Sequence, residues 1–141
     1  MAIKIVIGCK SGKCYQKELE SNEAEALQGR KLGEEITGDA IGFPGANLLI
    51  TGGSDASGFP MRRDLPGTGK KKILTTKGTG FRGKLRGKRF DGLKIKKTVA
   101  GNTVHNKTNQ INLKVLKGDS VVEKAFAPAE EPAEETPKAE E

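Results

Sequence analysis

The chain has 141 residues, 34% hydrophobic and 30% charged, with 19 Gly, no Trp and a formal net charge of +7. Such a length holds one domain with appendages and excludes a second, and a glycine-rich chain without long Ala/Leu-rich windows excludes a bundle of long helices. No stretch reaches the length of a membrane-spanning helix, and the opening AIKIVIG, broken at once by Gly8, Cys9 and Lys10, does not read as a signal peptide.

In IKIVIGCKSGKCYQKEL, Ile3, Ile5 and Ile7 alternate, Lys10 to Lys13 brings a Ser-Gly turn, and Tyr15 and Leu19 share a face on the return. The spacing predicts a β-hairpin. SNEAEALQGRKL follows as a short helix, with Ser21 or Asn22 as N-cap, Glu23 and Glu25 in the first turn, and Gly29 and Gly33 limiting its length. Short β pieces are expected around Ile36 and Ile41, set apart by Gly38, Gly42 and the Pro44-Gly45 turn. Leu48, Leu49 and Ile50 are consecutive, so Asn47 to Thr51 reads as a strand buried on both faces.

Beyond the turn at Asp64-Leu65-Pro66-Gly67, strands are expected in KKKILTTK, LKIKKTV and QINLKVLKG, with Ala100-Gly101-Asn102 turning the chain between Val99 and Val104. In LKIKKTV, Leu93 and Ile95 face inward while Lys94 and Lys96 form an outward row of ammonium groups. About six short strands joined by glycine turns predict a mostly β domain, a small antiparallel sheet closed or nearly closed into a barrel, over residues 1–127. The ending PAEEPAEETPKAEE, residues 128–141, holds too little apolar surface to offset ordering entropy and is expected to be a disordered acidic tail.

Charge is distributed very unevenly. Residues 62–97 hold fourteen Lys and Arg, interrupted only by Asp64 and Asp91. So dense an excess cannot pair internally, and it calls for a polyanion. A membrane surface would need an amphipathic apolar face, which the glycines and turns of 66–92 break, so nucleic acid is the expected partner. Candidate RNA-binding residues are Arg62, Arg63, Lys70, Lys71, Lys72, Lys77, Arg82, Lys84, Arg86, Lys88, Arg89, Lys94, Lys96 and Lys97. Phe81 and Phe90 sit among them, either to stack on bases or to fill the barrel.

Nucleotide-loop readings fail on the residues around them. Gly78, Gly80 and Gly83 have the G-x-G-x-x-G spacing, but neither a helix nor a ribose-binding acid follows. GCKSGKC has one residue too few for a P-loop and ends in Cys14, and Gly69-Lys70 is followed by Lys71 rather than Ser or Thr. Two cysteines and the single His105 are too few for a closed zinc site, and Cys9 and Cys14 read as reduced thiols in a cytosolic chain, although their turn spacing permits a disulfide. No nucleophile stands beside a base. The expectation is a binding protein without cofactor, metal, small-molecule substrate or catalytic site.

The segment ITGGSDASGFPM, Ile50 to Met61, resembles the signature of the small-subunit ribosomal protein six family of the eukaryotic and archaeal type, matching at Gly52, Gly53, Asp55, Gly58, Pro60 and Met61. Read physically, Gly52-Gly53 permits a tight bend after a buried strand, Asp55 bonds nearby backbone N–H groups in an Asx-type turn, and Phe59-Pro60-Met61 feeds an extended chain into the basic run. The resemblance implies a β-barrel-like, non-enzymatic protein of the cytoplasmic ribosome, bound to small-subunit ribosomal RNA and neighbouring ribosomal proteins. Eukaryotic relatives continue into a basic helix with phosphorylated serines. Here no serine follows Ser120 and the ending is acidic, so that regulation is not carried over and the short form resembles the archaeal one. A free RNA-binding factor or chaperone is the alternative.

Overall fold

A computed structural model describes residues 3–126, so the expected acidic tail lies outside the described residues. The strands are β1 (Ile3–Gly8), β2 (Cys14–Leu19), β3 (Glu35–Thr37), β4 (Asn47–Asp55), β5 (Lys70–Thr75), β6 (Lys84–Leu85), β7 (Lys88–Arg89), β8 (Ile95–Ala100) and β9 (Thr108–Lys117). Two helices, α1 (Ser21–Leu27) and α2 (Asp119–Phe126), and a 3₁₀ turn at Gly38–Ile41 complete the order.

The body is one five-stranded sheet in the order β2-β1-β9-β4-β3. It is mixed, because β1 and β9 run parallel while the other neighbours are antiparallel. The expected closed antiparallel barrel is therefore corrected to an open mixed sheet. Strand β9 inserts between β1 and β4 and satisfies both, which leaves β2 and β3 as separate edges.

Alternation of side chains builds one apolar face across this sheet. Leu19 opposes Ile3, Ile5 opposes Ile111, Ile7 and Ile50 flank Leu113, and Leu48 stands between Val115 and Ile36. All of these belong to one buried cluster with Ala24 and Leu27 of α1, Ile41, Phe43, Ala46 and Val122 of α2. Burying each large aliphatic side chain contributes about 1.5–3 kcal/mol, so this face dominates the stability of the body. Only the Leu48 and Ile50 side of β4 is fully buried, and Leu49 is half-exposed, so the strand expected to be buried on both faces covers one.

Helix α1 is capped by Glu20 rather than Ser21 or Asn22, and the Glu20 N–H donates to the Glu23 carboxylate at 3.4 Å. Lys17 on β2 joins α1 to the 3₁₀ turn, 2.7 Å from Glu23 and donating to the Ile41 carbonyl at 3.0 Å. The β piece expected at Ile41 is that 3₁₀ turn, closed by Gly42 at φ 82°. Helix α2 was not expected. Two turns of helix have little stability alone, and it is held by burial of Val122 and by Phe126, whose ring stacks on Tyr15 at 4.9 Å and on Phe43 at 5.6 Å. Cys9 and Cys14 are free thiols; burial, then Asp119 and Glu123, push the Cys9 thiol up.

Candidate nucleic-acid interface

The signature residues form a joint between the body and the strands that follow it in the chain. Gly52 and Gly53 lie inside β4, with a bulge between Ile50 and Gly52, rather than at a bend after the strand. The chain then reverses over Asp55 to Phe59, closed by Asp55 N–H to Phe59 carbonyl at 3.0 Å and Gly58 N–H to Asp55 carbonyl at 2.8 Å. Met61 returns alongside Gly53, donating its N–H to the Gly53 carbonyl at 2.9 Å. A Cβ on Gly53 would stand 2.7 Å from the Gln110 carbonyl oxygen and 2.9 Å from Met61 Sδ. Close approach therefore requires glycine at this position.

Asp55 is buried, and its side chain accepts from the adjacent Ala56 N–H at 2.7 Å, one residue nearer than the expected Asx turn. Its second oxygen faces the Lys70 ammonium at 2.8 Å, off the direction of a well-aligned hydrogen bond. Burial pushes the Asp55 carboxyl up, yet Lys70 and the Ala56 amide outweigh burial and hold it below the usual carboxylate value. Lys70 also donates to Ser57 Oγ at 2.7 Å and stands 5.3 Å from the centre of the Phe59 ring.

From this joint, Phe59 to Met61 runs extended as expected, with Met61 bridging Ala100 in parallel. The basic segment then folds as two antiparallel ribbons. Strand β5 pairs with β8 from Lys70–Ala100 to Thr75–Ile95, and β6 pairs with β7 through Lys84–Arg89 and Leu85–Lys88. The outer ribbon turns at Arg86 and Gly87, both with positive φ (48° and 81°), a type I′ pattern that suits the twist of a two-residue hairpin.

The fourteen basic candidates divide into two groups. Arg62 is committed internally, donating from Nε and Nη2 to Asp64 at 2.8 and 2.6 Å and from Nη1 to Thr75 Oγ1 at 3.1 Å. Lys70 is committed to Asp55. The other twelve, Arg63, Lys71, Lys72, Lys77, Arg82, Lys84, Arg86, Lys88, Arg89, Lys94, Lys96 and Lys97, are exposed and make no ion pair among the described residues.

Lys94 and Lys96 are exposed and Leu93 and Ile95 half-buried, as the alternation predicts. The single ammonium row is not what forms, because Lys97 lies opposite Ile73 and Lys96 opposite Leu74, so both faces of the ribbon carry charge. Lys84 and Arg89 stand directly across a ladder, a like-charge pair that destabilises a free hairpin and that an anion relieves.

The two phenylalanines separate. Phe81 turns inward and is buried, whereas Phe90 is 47% exposed. Leu74 and Leu85 are exposed beside the charges, a feature that alternation alone did not single out because it names no partner for either face.

The ribosomal protein S6e family model matches residues 3–127. A protein named small ribosomal subunit protein eS6 from Methanosphaera stadtmanae is 42% identical over 136 residues, covering 96% of this chain and 100% of the relative. Proteins of the same name from Methanothermobacter thermautotrophicus and Methanococcus maripaludis are 39% identical over 132 residues (93% and 100% covered) and 43% identical over 117 residues (82% and 88% covered). A match across all described residues, with relatives this similar over most of their own length, means that the chain belongs to the ribosomal protein S6e family.

Proposed function

We propose that this chain is a structural, non-catalytic constituent of the small subunit of the cytoplasmic ribosome, whose open sheet anchors the arm and whose arm, residues 62–97, neutralises phosphates of ribosomal RNA. The name shared by its relatives supports the ribosomal role. The RNA role rests on one observation: twelve exposed cations on two ordered ribbons and their flanking loops, making no ion pair among the described residues, with Lys84 facing Arg89 across a ladder. Phosphate contacts position a protein on RNA without reading its bases, and a ribbon charged on both faces suits insertion between RNA segments.

Lys70 and Arg62 support the reading indirectly. By pairing with Asp55 and Asp64 they hold the base of the arm, which fixes the direction in which the free cations project. Neighbouring ribosomal proteins are further partners on this reading.

Sedimentation of cell lysate through a sucrose gradient tests the proposal. Stoichiometric migration with the small subunit, followed by protection of ribosomal RNA from hydroxyl-radical cleavage that is lost when Lys84, Arg86, Lys88 and Arg89 become Ala, is the expected result. Presence only in light fractions overturns it in favour of a free RNA-binding factor.

A further inference from the structure

The outer ribbon carries apolar surface where solvation alone would disfavour it. Phe90 is 47% exposed and Leu85 44%, while the neighbouring Phe81 is buried to 6%. Phe90 lines two open depressions, one shared with Lys77 and Leu93, the other with Leu85, Arg86 and Lys88. Asp91, in the first, is the only carboxylate among the described residues that line either.

No other ring stacks on Phe90 among the described residues, and no described cation sits over its face. Its backbone is nevertheless fixed, since the Phe90 N–H donates to the Gly83 carbonyl at 3.1 Å and follows directly on the β7 ladder. An aromatic ring on a fixed backbone, uncovered and bordered by cations, is complementary to a flat apolar group attached to an anion. A nucleobase on its sugar-phosphate backbone has that description; an apolar protein surface offers no use for Arg86 and Lys88.

We infer that Phe90, with Leu85 beside it, is the stacking platform for one unpaired base of the bound RNA, and that Arg86 and Lys88 hold its flanking phosphates. The inference rests on the reading of the arm as an RNA-binding element and adds to it a preference for RNA with an extruded base. Leu85 supplies apolar area beside the base, and Arg86 is placed by the hairpin turn to reach the backbone on that side.

The test uses the full chain and two RNA hairpins, identical except that one carries a single bulged aminopurine, a fluorescent adenine analogue. The wild-type chain binds the bulged hairpin more tightly and quenches its fluorescence. Phe90→Ala weakens binding to the bulged hairpin about 5- to 150-fold, the range of single base–aromatic stacks, with little effect on the paired hairpin. Phe90→Tyr keeps the preference, and an unchanged thermal midpoint of both variants separates stacking from folding.

Equal affinity for the two hairpins, an equal loss on both in Phe90→Ala, or absence of quenching overturns the platform while leaving the phosphate-binding arm intact. Absence of salt-sensitive binding to either hairpin overturns both readings together. If Phe90→Ala leaves RNA binding unchanged but lowers retention on salt-washed small subunits, a protein neighbour covers the ring and the platform is again overturned.

Discussion

Lys70 Nζ stands 2.8 Å from a carboxylate oxygen of Asp55, whose side chain is 2% exposed while that of Lys70 is 39% exposed. One member of the pair is thus in the interior and the other at its surface, and the two ends of the contact have unequal consequences.

Removing the lysine strands a buried charge. Lys70→Met is expected to cost about 2–3 kcal/mol, below the range for a fully buried pair because water reaches the ammonium. Asp55→Asn keeps the Ala56 contact and is expected to cost about 1–2 kcal/mol, and the double variant less than the sum by about 1 kcal/mol. Chemical denaturation of the four proteins closes the cycle.

The pH dependence follows from the same contact. The Asp55 carboxyl lies below its ordinary value in the folded chain, so its contribution is present above the unfolded pKa and is lost as pH falls through the folded one. In Lys70→Met burial is opposed only by the Ala56 amide and the weaker influence of His105, so the folded pKa rises relative to wild type and the gap in stability between variant and wild type should narrow on acidification. A gap that is constant with pH would mean that Lys70 does not lower the folded pKa of Asp55.

At the arm's root, a Cβ on Gly101 would lie 1.8 Å from the Gly67 carbonyl oxygen, whereas one on Gly69 meets nothing within 4 Å. Gly101→Ala is expected to destabilise by about 2–3 kcal/mol, because backbone rather than a side chain must move. Gly69→Ala should stay within about 0.5 kcal/mol of wild type. Thermal melts of the two variants compare them directly.

Salt titration separates the free cations from the committed ones. Binding to a ribosomal RNA fragment between 50 and 200 mM salt should weaken by several decades if about six to ten cations touch phosphate. Lys88→Ala should reduce the log–log slope by about 1. Arg62→Ala, whose guanidinium is held by Asp64 and Thr75, should leave the slope nearly unchanged.

Arg86 has φ 48°, a left-handed conformation that costs an L-residue roughly 1–2 kcal/mol and that Asn adopts more readily. Arg86→Asn should therefore slow amide exchange in the outer ribbon while weakening RNA binding. Faster exchange would show that the arginine side chain, not the turn geometry, holds the hairpin.

Features that depend on near neighbours were legible in the sequence. The β1–β2 hairpin follows from alternation at Ile3, Ile5 and Ile7 and a short turn, and the charge of residues 62–97 is a count that no folding alters. The signature from Ile50 to Met61 identified the family for the same reason, as contiguous residue types.

Tertiary structure decided what depends on residues far apart in the chain. Strand β9 pairs in parallel with β1 and antiparallel with β4, and that insertion, which no local pattern encodes, produced an open sheet instead of a barrel. Lys70 and Arg62 look like their neighbours in sequence, yet a buried carboxylate fifteen residues back holds Lys70, and Thr75, thirteen residues on, adds to the local Asp64 contact of Arg62. Phe81 and Phe90 have similar surroundings in the chain, and only the tertiary fold set one inside and left the other uncovered. Burial is a property of the assembled surface, so it is settled when distant segments meet.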